Sequence, residues 1–268
     1  MRAKPSARIR GFLFRVLTIV ALVVLVASLR TSEVDLDIGT AVTAVRPRSG
    51  VAARTAEDIR YQDNNLELIA VYRVVNGQLE GAALPEHRRI WEIAAATLPT
   101  AGLNQIRQLN IVTDGPARTL GMVHRSTTEH DSWILSVDPA ESQDVLERTL
   151  VHELGHVFTL GEPDLTSLRS NCAGVLLEIG CARTGSLLAD YATRFWAGVS
   201  EPAAYSGDTF VTQYAAESVH EDLAETFMFW VYGDKAPSST IGAKYRWFDT
   251  VDNFVVAKAE IRAKLQMA

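Results

Sequence analysis

The stretch SQDVLERTLVHELGHVFTL, residues 142–160, decides how the rest of this chain is read. Val145, Leu146, Thr149, Leu150, Leu154, Val157 and Phe158 recur at three- and four-residue intervals, the period of an amphipathic helix. Gly161 and Pro163 come next and end it. Within that helix stand His152, Glu153 and His156. Residues four apart share a helix face, so both imidazoles can reach one point in space.

That pattern carries a specific chemistry. Zinc accepts neutral imidazole nitrogens, and a catalytic zinc keeps one position open for water. Glu153 lies about 100° round the helix from His152, where its carboxylate can take a proton from that water. The metal brings the pKa of the water to about 7. Two histidines and a base are an incomplete set, because a zinc site of this kind needs a third protein ligand.

A second stretch, YAAESVHEDLAETFMFW at 214–230, offers one. Glu221 and Glu225 are four apart on one face of an otherwise apolar helix expected over 219–232, with Ser218 as N-cap and Gly233 as its end. Two carboxylates so placed repel one another unless a cation or a histidine shares them. One can ligate the metal while the other orients a ligand histidine. A capping box between Ser218 and Glu221 is the competing use of Glu221. Glu162 is the rival ligand, ten residues after His152, where the HExxHxxGxxH pattern of metzincins places its last histidine; Thr159 stands where that pattern needs a turning glycine. Asp164 and Asp190 are further candidates.

HELGH and, later, Y-A-x-x-S-x-x-E-D-L-A-E-T-F resemble the motifs of the Glu-liganded zincins (gluzincins), and more narrowly those of the zinc metallopeptidases that carry a Y-A…E-D-x-A-E signature together with the catalytic domain of anthrax lethal factor. The likeness covers residues 145–160 and 210–232. It implies Zn2+ held by His152, His156 and Glu221, Glu153 as general base, and Glu225 behind the ligand histidines. It also places Tyr214 where a tyrosine aims its hydroxyl at the metal site, and a phenol there can stabilise an oxyanion. The long, cysteine-bearing insertion between the two motifs departs from compact gluzincins.

Outward from these motifs the chain reads as strands first and helices later: strands over 66–75, 106–113 and 132–137, and helices over 85–98, 142–160, 186–197, 219–232 and 249–265. That order indicates an α+β fold with a small mixed sheet; the resemblance implies a zincin-like domain over 59–268, whose edge strand is expected at 132–137. Residues 162–185 read as a long loop. Phe227, Phe229 and Trp230 read as core. His87, His124 and His130 read as surface residues, His220 as a solvated histidine at a helix start, and Asp222 as a residue that caps or solvates that start.

Residues 1–30 hold Arg2, Lys4, Arg8, Arg10, Arg15 and Arg30 and no acid, around an uninterrupted apolar run from Val16 to Leu29. They read as an N-terminal transmembrane signal anchor or a cleaved signal peptide, and 31–58 as a linker. Both readings put the body of the chain outside the cytoplasm, membrane-anchored or secreted. There Cys172 and Cys181 are expected to form a disulfide, two free thiols being the other reading. Without the six basic residues of the N-terminal segment, 20 basic face 32 acidic residues, a net charge of −12 that repels phosphate backbones and argues against nucleic acid as a partner. The expected activity is therefore zinc-dependent hydrolysis of peptide bonds in a peptide or protein substrate. A membrane-tethered metal-binding protein without catalysis and a zinc amidase acting on an envelope component are the alternatives.

Overall fold

A computed structural model describes residues 66–115, 119–129, 131–167 and 169–267. The expected N-terminal anchor or signal (1–30), the linker (31–58) and His130 lie outside the described residues. Among the described residues no helix is long and apolar enough to cross a membrane.

The described chain is α+β. Its main sheet has five strands: β1 (Glu67–Val75), β2 (Gln78–Leu79), β3 (Ile106–Thr113), β4 (Gly121–Arg125) and β5 (Trp133–Val137), in the order β2-β1-β3-β5-β4. β3 runs antiparallel to β1 and parallel to β5, and β4 closes the row antiparallel to β5, with Gly121 opposite Val137 and Arg125 opposite Trp133. The sheet is therefore mixed. Among the described residues seven α-helices accompany it: α1 (Pro85–Thr97), α2 (Thr100–Leu103), α3 (Gln143–Thr159), α4 (Leu187–Phe195), α5 (Val219–Tyr232), α6 (Ser239–Phe248) and α7 (Asp252–Lys264).

Two expectations are corrected. The edge strand is not 132–137. All five residues of β5 are buried and paired on both sides, and β4, half-buried throughout, ends the row instead. Its sequence, GMVHR, has no alternation of apolar and polar residues; it becomes a strand only because β5 offers it a ladder. The stretch 162–185 is likewise not a bare loop. It folds into a three-stranded sheet of β6 (Leu165–Thr166), β7 (Val175–Leu177) and β8 (Gly180–Ala182), in the order β6-β8-β7. Strands this short carry no periodicity to read. The Cys172–Cys181 disulfide staples them, with Cα atoms 5.6 Å apart. The segment 249–265 holds α7, and α6 precedes it as a further helix with no counterpart among the expected elements.

One continuous apolar core joins β1, β3 and β5 to α1, α3 and α5, with Leu109, Ile111, Leu150, Val151, Phe227 and Phe254 among its fully buried members. Phe227 and Trp230 sit in that core, with Phe229 packed against it, as expected. What positions the site is the crossing of α3 and α5. A Cβ at Gly155 would stand 2.9 Å from the Cα and 3.2 Å from the Cβ of Ala224, so the glycine inside HELGH lets the two helix backbones approach. On its other flank α3 meets β4, where a Cβ at Gly121 would come within 2.8 Å of the Thr149 methyl.

Candidate metal centre

His152 and His156 project from the same face of α3 and are buried. Their Nε2 atoms lie 3.1 Å apart. From α5, Glu221 brings Oε2 to 3.1 Å from His152 Nε2 and 3.3 Å from His156 Nε2. These three side chains form the group among the described residues whose donor atoms could together hold a metal ion. Glu221 Oε2 thus faces both ring nitrogens, and the buried His156 Nδ1 makes no hydrogen bond.

The competing use of Glu221 resolves by division of labour. Ser218 caps α5 by accepting from the Glu221 backbone N–H at 3.3 Å, while the Glu221 carboxylate turns away toward the histidines. Glu201 supplies the rest of the cap, one oxygen accepting from Val219 N at 2.8 Å and the other from Glu178 N at 3.0 Å.

Glu225, one turn further along α5, lies 2.9 Å from His152 Nδ1 and accepts from the Thr212 hydroxyl at 2.6 Å. A ring nitrogen held by a carboxylate leaves the other nitrogen free to act as a donor of electrons, with its orientation set from behind. Thr212 has no motif around it and is invisible in the sequence.

Glu153 is buried beside the group and lines the cleft with Val123 of β4. Burial raises its pKa above the usual carboxylate range, against the lowering by His152 and His156. In the metal-free protein burial also pushes the His152 imidazolium to shed its proton, but the Glu221 and Glu225 carboxylates outweigh it and hold the pKa up to about 10. Glu221 is driven the other way: burial raises it, and the two histidines more than reverse that, well below the ordinary range.

Tyr214 opens a 3-10 turn, Tyr214–Ala216, just before α5. Its ring centroid is 5.8 Å from that of His152, and it lines the cleft with Glu221. The residue is 46% exposed, but burial of the hydroxyl end and the Glu221 charge raise its pKa well above 10, so the phenol stays a neutral donor. His220 is not solvated. It lines the cleft, its ring centroid 5.7 Å from that of His156, and burial lowers its pKa to about 4. The Ser218 hydroxyl, 2.8 Å from His220 Nδ1, holds it there.

The rival ligands stand elsewhere. Glu162 is exposed after the end of α3, its carbonyl accepting from Arg183. Asp164 accepts from the Leu187 backbone, and Asp190 pairs with Arg194 at 2.7 Å and accepts from Trp247. Two more readings are corrected. His87 is buried and hydrogen-bonded to the Tyr72 hydroxyl at 2.8 Å, because α1 packs on β1 there, and His124 is half-buried within β4. Asp222 does not solvate a helix start; it is fully buried against Lys244.

The cleft over the group has a volume of about 810 Å³. β4 forms one wall through Gly121, Met122 and Val123, and Tyr214, His220 and Met228 form the opposite side. Comparison with models of protein families, with curated proteins and with solved structures finds no match to this chain.

Proposed function

We propose that this chain is a zinc-dependent metallohydrolase with a zincin-like fold, acting on peptide bonds. The observation that carries the reading is the convergence of His152 Nε2, His156 Nε2 and Glu221 Oε2 at mutual distances of 3.1 to 3.3 Å, directly beside a buried Glu153. Ligands about 2.0–2.1 Å from a tetrahedral zinc stand roughly 3.3 Å from one another, so the donor set and its spacing fit that ion. Three protein ligands leave a fourth position, which is the mark of a catalytic rather than a structural site.

His152, His156 and Glu221 would hold the metal, which supplies a Lewis acid and a water acidic enough to act near neutral pH. Glu153 takes the proton of the attacking water; its raised pKa suits a group that must both accept that proton and return it to the leaving amine. Tyr214, a neutral donor at the mouth of the group, can hydrogen-bond the oxygen on which charge develops. Glu225 keeps His152 in the tautomer whose Nε2 faces the metal. An extended substrate can lie against β4, the last strand of the sheet among the described residues, and add a strand to it. The Cys172–Cys181 disulfide is compatible with an extracytoplasmic domain, membrane-anchored or secreted.

Elemental analysis of the purified protein tests the metal, and hydrolysis of a peptide library tests the activity. About one zinc per chain, retained in Glu153→Gln while peptide cleavage disappears, is the expected result. A folded, metal-replete protein that carries no zinc overturns the proposal.

A further inference from the structure

Lys244, on α6, has no part in the cleft, yet its side chain is fully buried. Its ammonium donates to Asp222 Oδ1 at 2.8 Å, Asp222 Oδ2 at 2.6 Å and the Thr209 carbonyl at 2.7 Å. Three donors therefore meet three acceptors, and the ammonium also lies 4.8 Å from the centre of the Phe210 ring. Asp222 is provided for beyond charge neutralisation. Besides the ammonium it accepts from Trp196 Nε1 at 2.8 Å, the Tyr191 hydroxyl at 3.1 Å and the Thr226 hydroxyl at 3.1 Å.

Lys244 ties α5, which carries Glu221, to the segment that carries Thr212 and Tyr214. Asp222 is the next residue after Glu221 in the first turn of α5. Thr209 opens the segment that delivers Thr212 to Glu225 and Tyr214 to the His152 ring. No regular secondary structure spans 209–213; the segment is held by Phe210, buried against Trp196, and by the bond from Lys244 to the Thr209 carbonyl.

We propose that Lys244 is a positioning residue: a buried strut that sets the spacing between the Glu221-bearing helix and the Thr212–Tyr214 segment, and through it the geometry of the metal site. This rests on the proposed metal site. The simpler role is that Lys244 only neutralises a buried aspartate. Removing both charges together separates the two roles. Removing one partner of a buried ion pair leaves an uncompensated charge, whereas removing both charges does not. Charge neutralisation alone predicts that Asp222→Asn/Lys244→Met, whose amide oxygen can still accept from Trp196 and Tyr191, regains whatever Lys244→Met loses. A strut predicts that the double variant still lacks the tether to Thr209.

The experiment measures zinc affinity by competition titration and the visible absorption of the Co2+-substituted protein, on wild type, Lys244→Met, the double variant and His152→Ala, each checked for folding by circular dichroism. The expected result is zinc binding weakened by about tenfold or more in both Lys244 variants, the loss typical when support behind a ligand is removed. An altered Co2+ spectrum is expected alongside it. If Lys244→Met fails to fold, the double variant gives the answer. Wild-type affinity and spectrum in a folded Lys244 variant, or their return in the double variant, overturns the proposal. Absence of zinc binding in wild type, or its survival in His152→Ala, overturns instead the metal site on which the proposal rests.

Discussion

Gly155→Ala adds one carbon at the point where α3 and α5 touch. The new Cβ would stand 2.9 Å from the Ala224 Cα and 3.2 Å from its Cβ, with the Phe227 ring next at 3.6 Å. Carbon atoms in contact prefer about 3.5–4.0 Å, so roughly 0.6–1 Å of separation must be found. Ala224 offers no rotatable side chain, so the helices have to part. Overpacking of this kind costs about 1–3 kcal/mol, and the gain from Gly to Ala inside a helix returns about 1 kcal/mol, leaving a net loss of about 0–2 kcal/mol in the metal-free protein. The proposed metal site has less slack. Ala224 lies between Glu221 and Glu225 on α5, and metal–ligand distances tolerate about ±0.2 Å. A shift several times larger than that should weaken zinc binding at least tenfold while the protein stays folded. Urea unfolding in chelator gives the first quantity and competition titration the second. Gly242→Ala is the control: it is also helical, but its Cβ would meet only the Arg246 guanidinium at 3.5 Å and Ala236 at 3.9 Å, and it should stabilise by about 0.5–1 kcal/mol without touching zinc affinity. Unchanged zinc affinity in Gly155→Ala would refute the reasoning that close packing of these helices sets the ligand geometry.

Glu225→Gln, which can still meet His152 but no longer as a carboxylate, should lower zinc affinity by about 10–100-fold, read in the same titration. Tyr214→Phe should reduce kcat of peptide hydrolysis by about 10²–10³ with little change in bound zinc; an equal loss of metal would mean the hydroxyl serves ligation instead. Cys172→Ser/Cys181→Ser should destabilise the β6–β8 region by about 2–3 kcal/mol, the value for a loop of this length, seen as faster proteolysis within 162–185. In the metal-free protein the raised His152 pKa means that its contribution is fully present below about 6.5, the ordinary histidine value, and is lost as pH rises toward about 10. Urea midpoints measured in chelator should accordingly fall across that window and lose this dependence in His152→Ala.

Periodicity and spacing carried much of this protein. Residues 142–160 announced α3, the four-residue interval put both imidazoles on one side of it, and the second motif placed Glu221 and Glu225 on one face of α5 with bounds that the structure reproduces. These are properties of one helix at a time, set by its own turn and its own caps, so a linear chain can display them. Which glutamate meets the histidines was not of that kind: Glu162 and Glu221 were both open until the crossing of α3 and α5 brought one to 3.1 Å and left the other at the surface. That crossing depends on Gly155 against Ala224, a contact between residues 69 positions apart, and a glycine inside a helix does not say what will lie against it. The same holds for β4, which is a strand by virtue of its partner, and for Thr212, Glu201 and Lys244, each buried or engaged through hydrogen-bonded neighbours from another element. A hydrogen bond between distant segments leaves no period behind it, so the elements that carry the candidate ligands were legible one by one, and the arrangement that brings those side chains together was decided by tertiary packing.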